Sequence, residues 1–515
     1  MDHSRNKRSD EGMADDSKET LIRWRLEAIS RQVEKEPSEG MRLEPTEWPD
    51  EESLEAATRL CRMGIEIPWR YGQAFGDKDL KVIGLRAGAI GVVFFVESKQ
   101  LGRKKIYATK TLKSFLEPDY LSLPGGEQEK ISLAFLEEAL TWLEMGQHLH
   151  IVAVHALKNL LHPKLKRNIP FVFSGFMPNG NLKKYLAKKR KLDLKESLIL
   201  GIQLCDGLLH AYENGLKAHR DLKPDNIMLY EERIFKVTDF SANVIGTPGY
   251  MAPEQVAAWW RSQGKWIVPY ELPVDHRADQ FAVGLIALEA FLGRHPFLIC
   301  NGACVSPERA REYVERGVGE VVDDSLPKSL KQILTHVFSP KPSDRIPDFS
   351  ALRKELLGAY EMEFGTYDAP EVEIDDSASW WFERGEAFYD LGRAGSSEKP
   401  FKEAWERFHS IPGTELDQAR CTENLGSVYR ATGRFAEAES SFGEALGMYR
   451  RIPGTELQQA KCLANFAELY SRENDWSQAR KRCLEALKLC EAFPPEVTGE
   501  IRSYCQEILE ELDRR

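Results

Sequence analysis

The stretch His219-Arg220-Asp221-Leu222-Lys223-Pro224-Asp225-Asn226 constrains this chain more tightly than any other part of it. It sets a carboxylate, an ammonium and a carboxamide within six residues. An apolar helical run (residues 194–212) precedes it and a short strand-like run follows. Asp221 can accept a proton from a hydroxyl, Lys223 can neutralise a phosphoryl group in transfer, and Asn226 can hold a magnesium ion. The weight of this loop depends on whether complementary groups occur in order on either side of it.

Upstream they do. Lys81–Leu85, Val92–Val96 and Lys105–Lys110 are alternating or β-branched and read as three successive strands. Gly88 and Gly91 stand between the first two, where the lack of a Cβ lets backbone N–H groups approach phosphate oxygens. Lys110 ends the third strand. A helical segment, Phe135–Leu143, follows and carries a carboxylate that can pair with it. Glu138 is the first choice and Glu137 the alternative, one residue out of register. Phe171–Phe173 reads as a further strand, and 174–177 as the connection between two lobes.

Downstream, Asp239 ends a short apolar strand, where a carboxylate can reach a metal bridging phosphates. Gly246 to Glu254 follow, then Asp279 at the head of an apolar helix over 281–292 that Gly293 closes, and then Arg345. Six basic residues, Lys183, Lys184, Lys188, Lys189, Arg190 and Lys191, read as a solvated helix face, with docking of an acidic substrate as the alternative. Trp259, Trp260 and Trp266 read as packing under an insert or forming a docking surface.

Taken together, residues 79–357 resemble the eukaryotic-type (Hanks-type) serine/threonine protein kinases, with the soluble bacterial members as the nearest likeness. The resemblance implies a bilobal α+β fold with a β-rich first lobe and a helical second lobe. It implies Asp221 as catalytic base assisted by Lys223, and ATP held by Gly88, Gly91, Lys110 and Glu138. Asn226 and Asp239 would hold Mg2+. It further implies an ion pair between Glu254 and Arg345, Asp279 bracing the loop backbone, and Thr247 near Lys223, as in the serine/threonine branch.

Three departures accompany the likeness. Arg86 stands where the first glycine of the phosphate loop belongs, which either lowers nucleotide affinity or sets a guanidinium near phosphates. Asp239-Phe240-Ser241 has serine in place of glycine. Asp239 through Glu254 spans only 16 residues, with Ser241, Thr247 and Tyr250 as its hydroxyls. Phosphorylation of this short segment is therefore not expected to switch activity on.

The last third is periodic. Ile411-Pro412-Gly413-Thr414-Glu415-Leu416 returns 41 residues later as Ile452-Pro453-Gly454-Thr455-Glu456-Leu457. Leu425, Gly426, Tyr429, Ala438, Phe442 and Ala445 match Phe466, Ala467, Tyr470, Ala479, Cys483 and Ala486 at the same offset. The pattern resembles lengthened tetratricopeptide repeats of the kinesin light chain kind. A degenerate first copy is expected at Gly385, Phe388, Gly392, Ala404 and Phe408, after an insertion near Ser396, and a capping helix from Val497. Such an array binds a peptide or helix, or packs as a scaffold.

The expected division is an N-terminal extension over 1–77, disordered at 1–20 with an amphipathic helix at 21–34, and a kinase domain over 78–360. A linker over 361–377 and repeats over 378–515 follow. A net charge of −11 excludes a general nucleic-acid binder and gives no attraction to anionic membrane. Residues 1–20 carry no signal-peptide pattern, and the longest apolar run, 281–292, is too short to span a bilayer. Nine cysteines without a framework read as reduced thiols in a cytoplasmic protein, Cys300 and Cys304 lacking a second ligand pair. The function expected is a cytoplasmic, ATP- and Mg2+-dependent protein serine/threonine kinase acting on a protein substrate. The repeats would recruit that substrate or a regulator. A nucleotide-binding pseudokinase scaffold is the alternative.

Overall fold

A computed structural model of the chain describes residues 48–514 apart from 66, 68, 76, 89–90, 99–104, 118–119, 121–124, 232, 241–245, 248, 262–273, 297–325 and 372–376. The expected segments at 1–20 and 21–34, Ser241, Trp266, Cys300 and Cys304 lie outside the described residues, as do the side chains of Trp259 and Trp260. The chain forms two compact units, one running to Ile374 and the other from Asp375 to Arg515, with residues 155–158 grouped with the second. Among the described residues no helix is long and apolar enough to cross a membrane.

Among the described residues the first helix of the first unit is α1 (Glu51–Arg62), in a stretch to which the sequence assigns no task. Asp50 caps it, accepting the Ser53 N–H at 2.7 Å, and Glu51 and Glu52 oppose Arg59 and Arg62 along the helix dipole. Ser53, Ala56, Ala57 and Leu60 recur at helical spacing and are buried. They face a six-stranded sheet ordered β1-β2-β3-β4-β6-β5, in which β1 is Ala74–Phe75, β2 Asp77–Ala87 and β3 Gly91–Ser98. β4 is Lys105–Leu112, β5 Val154–Leu161 and β6 Asn168–Gly175. The three expected strands are present, each longer than its sequence pattern. Along β3 burial alternates, with Val92, Phe94 and Val96 inward. Phe94 joins Trp69, Phe75 and Phe171 in an aromatic knot with ring centroids 5.0–6.0 Å apart. Helix α2 (Gly125–Glu144) lies between β4 and β5 in sequence.

The second lobe is helical. α3 (Leu182–Lys189) is followed by α4 (Leu194–Glu213), which begins in a reciprocal capping box between Asp193 and Glu196. A hairpin of β7 (Ile227–Leu229) and β8 (Phe235–Val237) comes next, then α5 (Pro253–Arg261) and α6 (His276–Leu292). α7 (Lys328–Val337) and α8 (Phe349–Phe364) close the lobe. α6 ends on Gly293 in the left-handed conformation (φ 72°). Its first turn contains Asp279, so the helix starts five residues earlier than the apolar run.

The second unit is a stack of helix pairs: α9 (Ala378–Asp390) with α10 (Ala394–His409), α11 (Glu415–Ala431) with α12 (Phe435–Tyr449), and α13 (Glu456–Arg472) with α14 (Trp476–Cys490). α15 (Pro495–Arg514) caps it. Gly385 lies against Phe401 and Gly426 against Phe442, so close that a Cβ would sit under 3 Å from each ring. The first copy needs no insertion, contrary to expectation. Gly385, Phe401 and Ala404 stand 41 residues before Gly426, Phe442 and Ala445, and α10 runs unbroken through Ser396. The degenerate sequence, with Ser397 and Pro400 where the next copy has Ala438 and Ser441, concealed an intact spacing.

Gly207 on α4 tests close packing in the second lobe, because a Cβ there would lie 2.5 Å from the His150 carbonyl oxygen. Alanine gains up to about 1 kcal/mol of helix propensity, but overpacking against backbone costs about 1–3 kcal/mol. Gly207→Ala is expected to lower the urea unfolding midpoint; an unchanged or raised midpoint contradicts this packing.

Candidate active site

The loop between α4 and β7 is shaped by one buried carboxylate. Asp279 accepts the backbone N–H of His219 at 2.6 Å and of Arg220 at 2.7 Å, and the Tyr212 hydroxyl at 2.8 Å. Burial pushes the Asp279 pKa up, and the donors around it oppose that rise. Two consecutive amides turned towards one carboxylate require an unusual backbone, and Arg220 takes φ +66°. The His219 ring meets the Thr238 carbonyl at 3.1 Å and packs 5.1 Å from Phe240, which lies 5.9 Å from Trp142 on α2. This stack of rings couples α2 to the loop.

On the loop so formed, Asp221 is 8% exposed. Its Oδ2 accepts Lys223 Nζ at 2.7 Å and its Oδ1 accepts the Thr247 hydroxyl at 2.6 Å, while Lys223 also donates to Thr247 Oγ1 at 2.8 Å. The three groups close a triangle. Asn226 donates Nδ2 to the Asp221 carbonyl at 2.9 Å, which leaves Oδ1, a hard oxygen, as the other end of the amide.

Lys110 on β4 lies 3.8 Å from Glu138 and also pairs with Asp239 Oδ1. Glu138 is buried and Glu137 exposed, so the helix register is settled in favour of Glu138. Burial opposes ionisation of Asp239, but the Lys110 charge and hydrogen bond, with Lys223 and His219 beyond, hold its carboxyl below the usual range. Asp239 itself stands at φ +67°. Gly88 and Gly91 close the β2–β3 turn through an N–H to carbonyl bond of 3.0 Å. A Cβ on Gly91 would come 3.2 Å from the Thr111 oxygen and 3.4 Å from Lys110 Cε, so glycine keeps the space beside the lysine open.

Arg86 does not point into that space. Its Nε reaches Glu52 at 2.7 Å, and its Nη1 reaches Asp50 at 3.1 Å and Ser53 Oγ at 2.9 Å. The guanidinium is thus committed to α1, which excludes its use as a phosphate ligand in this arrangement. Sequence reasoning missed α1, although Asp50 before Glu51-Glu52 and the spacing of Ala56, Ala57 and Leu60 were its signal. Deeper in the lobe, Arg345 grips Glu254 with a two-pronged contact of 2.7 and 2.6 Å. In the basic cluster, Lys183 pairs with Asp225, Lys184 with Glu52 and Lys189 with Glu196. Part of that face is therefore already neutralised.

The chain matches the protein kinase domain family over residues 79–357, more than half its length. It belongs to the protein kinase family. Residues 376–451 and 417–492 match the tetratricopeptide repeat family. Similar proteins include a serine/threonine-protein kinase of Arabidopsis thaliana, 27% identical over 190 residues (36% of this chain, 31% of the relative). A probable serine/threonine-protein kinase of Streptomyces coelicolor is 25% identical over 307 residues (57% and 41%). One of Myxococcus xanthus is 31% identical over 180 residues (30% and 22%). The matched part of this chain thus spans less than half the length of each of these relatives. The family implies a magnesium-bound triphosphate. The residues fit it: an ammonium stands beside an open glycine turn, and Asn226 and Asp239 would offer hard oxygens to magnesium.

Thr247 is locked into the Asp221–Lys223 triangle, and the Tyr250 hydroxyl donates to Glu289 at 2.7 Å. A phosphate on Thr247 would set about two negative charges against the Asp221 carboxylate. Phosphatase-treated protein is expected to retain its full phosphotransfer rate. A stoichiometric phosphate on Ser241 or Thr247 that activity requires would contradict this.

Proposed function

We propose that this chain is a protein serine/threonine kinase, transferring the γ-phosphoryl group of Mg-ATP to a protein hydroxyl. The observation that carries the reading is the joint placement of Lys110, Glu138 and Asp239 in one cluster and Asp221, Lys223 and Thr247 in the other. Asp221 takes the proton of the substrate hydroxyl as that oxygen becomes the nucleophile. Lys223, held by the same carboxylate, offsets charge on the group in flight. Lys110, oriented by Glu138, binds phosphate oxygens, and Gly88 and Gly91 let backbone approach them. Asn226 and Asp239 would hold magnesium, which when bound neutralises the charge of the phosphates. The family runs such transfers by positioning and charge neutralisation, and these six side chains supply both.

The tetratricopeptide repeats are a protein-interaction module, and in this reading they recruit the substrate or a regulator through a peptide or helix. The second reading, a nucleotide-binding pseudokinase scaffold, draws on Arg86 in place of a loop glycine. It predicts Mg-ATP binding without transfer.

Incubation of the full chain with labelled ATP, magnesium and a generic serine/threonine substrate separates the two. Transfer by the wild type, reduced at least about 100-fold in Asp221→Ala, is the expected result. No transfer by the wild type, or wild-type rates in Asp221→Ala, overturns the proposal.

A further inference from the structure

Helix α1 does more than cover the back of the sheet. Glu52, in its first turn, accepts Arg86 Nε at 2.7 Å and also pairs with Lys184 on α3. Arg86 is the next-to-last residue of β2, two residues before Gly88, and α3 begins seven residues after β6, in the helical lobe. One carboxylate therefore joins the strand that carries the glycine turn to the first helix beyond the lobe connection. The anchor for this contact is firm. Asp50 caps the helix and also contacts Arg86, and Ser53 Oγ accepts both the Leu85 N–H at 3.0 Å and Arg86 Nη1 at 2.9 Å. Arg86 further lies 5.3 Å from the Phe95 ring, fixing its side chain along β2 and β3.

We infer that Glu52 is a positioning residue for the nucleotide: through Arg86 and Lys184 it holds the glycine turn down against the helical lobe. The inference rests on the kinase reading above, but concerns binding rather than transfer. A glycine at position 86 would leave the β2 end to move with the turn. An arginine held by a carboxylate, which is itself held from α3, limits opening of the turn away from the lobe below. The substitution that looks like a defect in the phosphate loop becomes the handle by which the loop is held. Glu52 and Lys184 side chains are each 48% exposed and Arg86 31%, so the tie is a modest, salt-sensitive one.

The test is a titration of the full chain with Mg-ATP, read by calorimetry, alongside KM and kcat for phosphotransfer. Glu52→Gln is expected to weaken Mg-ATP binding and raise KM by about three- to tenfold, with kcat within about twofold. Lys184→Gln should act in the same direction. The double variant should be little worse than either single change, because both remove one shared tie. The difference from wild type should shrink at about 0.5 M salt, where charge pairs of this exposure are screened. Glu55→Gln, an exposed carboxylate on the same helix, serves as the control and should leave affinity unchanged. Wild-type affinity in Glu52→Gln, an equal loss in Glu55→Gln, or a salt-independent loss accompanied by a lower melting temperature overturns the inference. If wild-type protein binds no Mg-ATP at all, the kinase reading fails first and carries this one with it. Binding that is indifferent to Glu52 defeats only the inference.

Discussion

One ammonium group, that of Lys110, is held by two carboxylates that come from different parts of the chain. Glu138 reaches it from α2 and Asp239 from the strand-to-segment turn of the helical lobe. Glu138 is buried and costly to bury alone, Asp239 is half-buried, and the shared cation offsets that cost. The contact therefore requires α2 to lie inward and the Asp239 backbone to hold a left-handed conformation at the same time. Much of the surrounding structure serves this requirement. The rings of Trp142, Phe240 and His219 hold α2 against the loop, and Asp279 holds the loop backbone that presents Asp221. Arg345 and Glu254 secure the segment that follows.

The Asp221, Lys223 and Thr247 triangle is the second constraint, and it fixes one residue of the short segment directly to the loop. Thr247 is fixed by the two residues it serves. Arg220 is engaged by its backbone with Asp279, and its guanidinium donates to the Val274 carbonyl at 3.4 Å.

The loop, the strands and the repeat period were legible because each is encoded locally. Asp221, Lys223 and Asn226 sit within six residues, β3 alternates, and small residues such as Gly426 mark where a ring must pack. The pairing of Lys110 with a helix carboxylate was legible only to within one residue. Choosing Glu138 over Glu137 depends on which face of α2 is buried, and that is a tertiary fact. The fate of Arg86 was not legible. Read within its own motif it either lowers nucleotide affinity or sets a guanidinium near phosphates, but its partners, Asp50 and Glu52, lie more than thirty residues earlier, at the start of a helix whose cap and apolar spacing stand in a charged, proline-punctuated stretch. The first tetratricopeptide copy was misread for the opposite reason: degenerate residues hid a spacing that the backbone keeps.

If Lys110, Glu138 and Asp239 form a site for a metal-bound triphosphate, ATP binding depends on both magnesium and Lys110. Calorimetric titration of ATP into the full chain, with magnesium, with chelator, and into Lys110→Met, tests it most directly. Binding with magnesium that weakens about tenfold or more both on chelation and in the variant is the predicted result. ATP binding indifferent to magnesium and to Lys110, or no binding by the wild type, would contradict it.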